Sequence, residues 1–391
     1  MQKPSSLKFW SPAYYFVYFV GLASLSPFIA LYYEERGLSG SQIGLLAGIS
    51  PLVTLIAAPL WSVFADATRR HKAIFMAAIA GVIVTSLLIY FASSLVWLIP
   101  IVITFAFLGA PIMPLMDSST MSMLQGRKDR YGRVRVWGTL GWAIGAPLAG
   151  LLIGRAGLQW SFYAYASLMT VALLISIRIP VGHAHISVPF RSGMRTLFSN
   201  RRWMFFLLII FMCGVAAAGT STYLFLYLKR LGASNLIGLA LTLSTVSEVP
   251  MLFFADRLLR RFKARGLILI ALPIYIGRLL LYSLVGFPPT ILIIQLLHGF
   301  TGPTIWVAGV SYVAEIAPPG LGATAQALFA GVLNGLGAAT GALLGGILFQ
   351  NFGPVVMYRA FALILLAALL LFGLVEKHIP VVSDKPLDIS V

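Results

Sequence analysis

The chain has 391 residues, 59% of them hydrophobic and only 10% charged, with a mean hydropathy of +0.93. A soluble protein of this length cannot present so much apolar surface to water, so a bilayer is its expected solvent. The net charge of +17 is not a nucleic-acid footprint, because the basic residues collect in short connectors between apolar runs, and the single cysteine, Cys213, leaves no disulfide or cysteine metal cluster.

Runs long enough to cross a bilayer, about 20 apolar residues each, are expected at 9–33, 41–65, 73–93, 96–123, 134–154, 159–179, 203–228, 235–256, 266–286, 289–314, 322–349 and 355–375. The first is long enough to span and lacks a signal-cleavage site, so it reads as a retained helix. Arg69, Arg70, His71 and Lys72 separate the second and third runs, and Arg257, Arg260, Arg261, Lys263 and Arg265 separate the eighth and ninth. The stretch around 180–202, with His183, His185, Pro189, Arg191 and Arg195, reads as a linker. The expected fold is therefore an all-α membrane protein of twelve transmembrane helices. Residues 1–180 form one six-helix bundle, 181–202 the linker, 203–376 a second bundle and 377–391 a tail. With the N-terminus inside, 21 of the 28 Lys and Arg lie on the cytoplasmic side and 5 opposite. Both termini are thus expected in the cytoplasm, with the chain in the inner membrane.

The connector after the second run reads Ala65-Asp66-Ala67-Thr68-Arg69-Arg70, and the one after the eighth reads Ala255-Asp256-Arg257-Leu258-Leu259-Arg260-Arg261. The aspartates hold the same place in each half of the chain, as duplicated six-helix units require. Asp66, Arg70, Asp256 and Arg260 are candidate gating residues, able to pair across a cytoplasmic gate in one state and release in another, and simple helix-end capping with topology signalling is the alternative. With its twelve runs, central linker and half-chain repeat, the whole chain resembles the major facilitator superfamily, although Ser62 stands where that family's loop motif usually has its first glycine. The resemblance implies alternating access, in which two bundles rock around a central site.

A charge at mid-bilayer costs at least about 2.5–3.5 kcal/mol, so each needs a reason. Asp117 falls inside the fourth run, Arg135 in the fifth, Glu248 in the eighth and Arg278 in the ninth. Such charges either pair to fix helix register or handle substrate and protons. In Arg135-Val136-Trp137-Gly138-Thr139-Leu140-Gly141-Trp142, the spacing places Arg135, Thr139 and Trp142 on one helix face. Arginine offers planar donors and tryptophan a stacking face, with Asp117 expected within reach of Arg135. The segment from Pro114 to Trp142 resembles the lactose permease and oligosaccharide–proton symporter group. That resemblance implies a sugar-binding carboxylate at Asp117, its partner arginine at Arg135 and a stacking tryptophan at Trp142.

The second half departs from that group. Arg278 and His298 match its arginine and histidine, but Gln295 replaces a lysine and Thr301 the proton-carrying glutamate. The seventh run, with Thr220, Ser221, Thr222 and Tyr223, lacks its acid as well. Ser247-Glu248-Val249-Pro250 and Leu297-His298-Gly299 resemble instead the phenylpropionate and nucleoside permease branch. Glu248 is then the expected proton carrier, with Arg278, His298 and Gln295 around it; His298 alone reads equally as a hydrogen-bonded helix contact. Trp306, Gln326 and Asn334 are further cavity candidates, whereas Tyr14, Tyr15 and Tyr18 read as packing or interfacial aromatics.

Glycines at 141, 145 and 150 with Pro147, and at 331, 335, 341 and 345, permit close helix approach. The first set with Gly132 also resembles the glycine–proline motif of drug antiporters, interrupted here by Ala146. The sequence-based expectation is a secondary transporter working as a monomer on protons and a small solute such as a sugar, nucleoside or aromatic acid. A drug or metabolite exporter and a non-transporting receptor or scaffold are the alternatives. No P-loop, metal-ligand spacing or nucleophile–base pair points to an enzyme, a cofactor or a metal.

Overall fold

The computed structural model describes residues 4–124, 128–181, 197–318 and 321–378. The histidines and arginines expected in the linker, and most of the expected tail, lie outside them. Among the described residues twelve helices are long and apolar enough to cross a membrane. They are α1 (Trp10–Glu35), α2 (Gly40–Thr68), α3 (His71–Phe91), α4 (Leu95–Met123), α5 (Arg130–Ala156), α6 (Gln159–Arg178), α7 (Arg201–Arg230), α8 (Ser234–Phe253), α9 (Ala255–Ser283), α10 (Thr290–Ile316), α11 (Gly322–Asn351) and α12 (Gly353–Val375). They form two pseudo-symmetric six-helix bundles. In the first, α1 packs on α5 and α6, α3 on α4 and α6, and α2 on α4; in the second, α7 packs on α11 and α12, and α9 on α10 and α12.

Local chemistry sets several of the boundaries. Ser39 and Gln42 form a reciprocal capping box at the start of α2, the Ser39 hydroxyl accepting from Gln42 N and Gln42 Oε1 from Ser39 N. Arg69 ends α2 in the left-handed region at φ 55°. The segment carrying Asp256, Arg257, Arg260 and Arg261 differs from expectation, because it is helical from Ala255 rather than a connector. Leu, Arg and Ala are good helix formers whatever their charge, and the chain breaks only at Lys263, where φ is 59°.

The two bundles meet chiefly through α2 with α11 and through α5 with α8. These contacts crowd toward the end of the molecule where α1 finishes and α2 begins, here termed the far end. A Cβ on Gly44 would stand 2.5 Å from the Ala342 carbonyl oxygen and 2.8 Å from the Tyr223 hydroxyl, so only glycine allows this approach. The Gly150 and Gly238 backbones face each other across α5 and α8 in the same manner. Tyr223 shares its hydroxyl proton between the carbonyls of Ala342 in its own bundle (2.9 Å) and Gly40 in the other (3.2 Å). Ser41 N donates to Gln350 Oε1 at 2.9 Å, and Lys229 pairs with Glu34 at 2.9 Å. The far end is closed.

Candidate functional site: a cavity between the bundles

Helix α10 is not continuous. It is α-helical over Thr290–Gln295, tightens to a 3-10 turn at His298–Phe300, and resumes at Gly302 after Thr301 leaves helical geometry with φ −111° and ψ −101°. Backbone groups freed inside a membrane must find partners, and hydroxyl side chains supply them. Ser247 of α8 accepts from Gly299 N at 3.0 Å, Thr304 donates to Gly299 O at 2.8 Å, and Thr301 donates to His298 O at 2.7 Å. Gly299 is required because any Cβ would run into the Ser247 carbonyl. Interrupted helices of this kind mark binding sites in transporters.

The break presents His298 to a chain of polar groups. His298 Nε2 lies 3.0 Å from Glu248 Oε1, and its Nδ1 lies 2.9 Å from an Arg278 Nη. A guanidinium can only donate, so Nδ1 must be the bare acceptor and Nε2 must carry the hydrogen given to Glu248. The neutral tautomer is thereby fixed, and protonating Nδ1 would require breaking the bond to Arg278. Arg278 is 3% exposed. It also donates to Gln295 Oε1 (2.7 Å), Thr301 Oγ1 (3.0 Å) and, through two nitrogens, the Tyr282 hydroxyl (2.9 and 3.2 Å). Tyr282 in turn donates to Gln295 Oε1 at 2.8 Å. Glu248, Arg278, Gln295 and His298, expected from the sequence as one group, are brought together as one network. Tyr282 was not singled out, although it lies one helical turn from Arg278.

This network forms one wall of a cavity of about 570 Å³ between the bundles. The cavity is bounded on the first-bundle side by Trp142, Ser26 and Pro27, and on the other by α7, α8, α9, α10 and α11. Trp306 and Asn334 line it, the latter from a π-helical stretch of α11 at Val332–Gly337, a distortion frequent at functional sites. Gln326 does not, because its amide is spent on the Val310 carbonyl at 2.7 Å. Thr220, Ser221 and Thr222 are on the wall, whereas Tyr223 turns to the closed end.

The first-bundle group is arranged differently from expectation. Asp117 and Arg135 form no ion pair with each other among the described residues. The Tyr15 hydroxyl donates instead to Asp117 Oδ1 at 2.5 Å and lies 3.4 Å from Thr120 Oγ1. Arg135 stacks on Phe19, with Cζ 4.4 Å from the ring centroid, and faces Tyr15 at 5.4 Å. Tyr15 is fully buried and packs against Tyr14, as expected of a packing aromatic, and it also stands between the acid and the base and contacts both. Nothing in its tyrosine-rich surroundings distinguishes it in the sequence. Trp142 reaches the cavity, while Thr139 is exposed and absent from its wall, and Arg135 lies about 10 Å below Trp142 by helical rise. Among the described residues the gating candidates are not paired with one another. Asp66 is bound by His71 at 2.9 Å rather than by Arg70, and Asp256 and Arg260 are exposed without an ion pair to each other among the described residues.

Residues 9–360 match the model of the MFS_1 like family. The maltose permease of Geobacillus stearothermophilus is 28% identical over 375 residues, covering 94% of both chains. The probable 3-phenylpropionic acid transporter of Escherichia coli (strain K12) is 25% identical over 373 residues, covering 93% of this chain and 96% of its own. Among solved structures the nucleoside transporter NupG superposes with a TM-score of 0.84 at 17% identity, covering 95% of this chain and 99% of that one, a likeness of fold.

Proposed function

The chain belongs to the MFS_1 like family of membrane transporters, and from that premise we propose that it is a secondary transporter coupling proton movement to uptake of a small ring-bearing solute. The relatives carry the solute classes considered for it, a sugar and an aromatic acid by sequence and a nucleoside by fold. The observation that carries the coupling is the Glu248–His298–Arg278 chain on the wall of the inter-bundle cavity. With His298 held neutral by Arg278, a proton reaching this site resides on the Glu248 carboxylate, whose side chain is 30% exposed. The solute lies between Trp142 of one bundle and Trp306 of the other, in contact with that carboxylate. Asp117, Arg135 and Tyr15 form a subsidiary polar group on the path below.

Lys and Arg distribution supports an inner-membrane orientation with both termini in the cytoplasm. The far end then faces outward, so the closed seam there makes this the inward-facing state. Opening the seam and closing the opposite end, where Asp66, Arg70, Asp256 and Arg260 lie, would expose the cavity outside.

The test is simultaneous recording of solute and proton flux in proteoliposomes. Solute moving inward with alkalinisation of the outer medium supports symport. Solute moving against an inward proton flow identifies an exporter instead.

A further inference from the structure

The free hydrogen-bonding capacity of the cavity wall is lopsided. Arginine has five N–H groups, and all five of those on Arg278 are taken, by Tyr282 twice, Gln295, His298 and Thr301. Among the described residues Arg278 is the only Lys or Arg lining the cavity, and it has nothing left to give a solute. Four of the wall hydroxyls are spent in the same sense. Thr220 donates to the Ala216 carbonyl (2.7 Å), Ser221 to Ala218 (3.2 Å), and Ser244 and Thr245 to Leu241 (2.8 and 3.0 Å). Each then turns oxygen lone pairs, not hydrogens, toward an incoming molecule. In its ionised form Glu248 adds an acceptor-only carboxylate, of which one oxygen is used by His298 and the other accepts nothing among the described residues, and when it carries the coupling proton it becomes one further neutral donor.

The donors that remain are neutral: the indoles of Trp142 and Trp306, the amide of Asn334 and the hydroxyls of Ser26, Thr222 and Tyr275. They orient a polar ring but cannot balance a full negative charge, and desolvating an unpaired carboxylate costs several kcal/mol. Arg135 lies on the same helix as Trp142. It lies outside the cavity wall and shares its surroundings with Asp117 across Tyr15, so it brings no net positive charge to the cavity.

Resting on the transporter reading above, we propose that the cavity selects an uncharged, donor-rich ring, hydroxylated or bearing N–H groups, and rejects carboxylates. The two tryptophans receive the faces of the ring, and the Glu248 carboxylate and wall hydroxyls accept its hydrogens. This separates the chain from transport of an aromatic acid even though a relative is named for one.

The experiment uses matched pairs differing only in charge, competing for tracer exchange in proteoliposomes of the full-length protein at neutral pH. Methyl glucoside is set against glucuronate and 3-phenylpropanol against 3-phenylpropionate, with uridine and maltose as further uncharged probes. At least one uncharged hydroxylated probe should exchange, and its carboxylate counterpart should compete at least tenfold more weakly. A carboxylate that exchanges as well as its uncharged partner overturns the proposal and leaves transport standing. Exchange of no probe overturns both for these solutes. A variant, Asn334→Lys, supplies the missing cation from α11 and should narrow the tenfold gap. If Asn334→Lys folds and exchanges the uncharged probe yet still rejects the carboxylate to the same degree, lack of a free cation is not the cause of selection and the proposal fails.

Discussion

Replacing Glu248 by Gln removes one negative charge while leaving the shape of the site. The His298 Nε2–H, now 3.0 Å from Glu248 Oε1, still finds a carbonyl oxygen in the amide. The stability lost is the difference between a hydrogen bond to a charged acceptor, about 1.5–3 kcal/mol, and a neutral one, about 0.5–1.5 kcal/mol. The variant should therefore fold with a deficit of about 1 kcal/mol. Its transport defect should be far larger. One proton crossing with an uncharged solute gains about 2.3 kcal/mol per 100 mV, and each 1.36 kcal/mol is a factor of ten, so native protein accumulates solute roughly 50-fold. Glu248→Gln should bring the ratio to about 1 while tracer exchange, which needs no net proton movement, continues. The assay is uptake into proteoliposomes under a potassium diffusion potential of about 100 mV, negative inside. An accumulation ratio above roughly 10 in the variant would refute the placement of the proton on Glu248.

Three further outcomes follow from the same geometry. Tyr15→Phe deletes the donor 2.5 Å from Asp117, so the variant should lose about 1.5–3 kcal/mol of stability; an unchanged thermal melt would show the acid satisfied elsewhere. Gly44→Val drives a side chain into the Ala342 carbonyl and Tyr223. Overpacking of about 1–3 kcal/mol converts to a roughly 5- to 150-fold shift away from the closed far end, readable from electron spin distances between labels on Arg155→Cys and Asn235→Cys in a Cys213→Ala background. The Glu34–Lys229 pair is 25% and 38% exposed and is worth only about 0–1 kcal/mol. Lys229→Met should accordingly alter turnover less than about fivefold, and a much larger effect would make that pair the principal lock.

The helix count was legible because each span is a long apolar run, and lipid forbids unpaired backbone whatever the packing. Glu248, Arg278, Gln295 and His298 were legible for a related reason, since ionisable and amide groups are rare enough in apolar helices to stand out individually. Their joining into a chain was not, because it depends on the break at Thr301 that rotates His298 toward Glu248. That break is written in hydroxyls on two helices, Ser247 on one and Thr301 and Thr304 on the other, and no local pattern announces it. Tyr15 illustrates the converse. A sequence rule that seeks charge partners matched Asp117 with Arg135, whereas the structure satisfies the acid with a neutral phenol and the base with aromatic faces. The basic segment after Asp256 shows that charge marks the end of the apolar run without ending the helix.

A single turn of α7 has a consequence for how occupancy and orientation communicate. Thr220 and Ser221 face the cavity, and two residues later Tyr223 binds carbonyls of both bundles at the closed end. No relay of intermediate side chains is needed, since the surface that senses a solute and the bolt that holds the seam belong to one rigid piece of backbone. Small displacements on one side of the turn arrive on the other undiminished. Variants that bind solute normally but fail to reorient should therefore cluster in this turn, not spread along a path through the bundle.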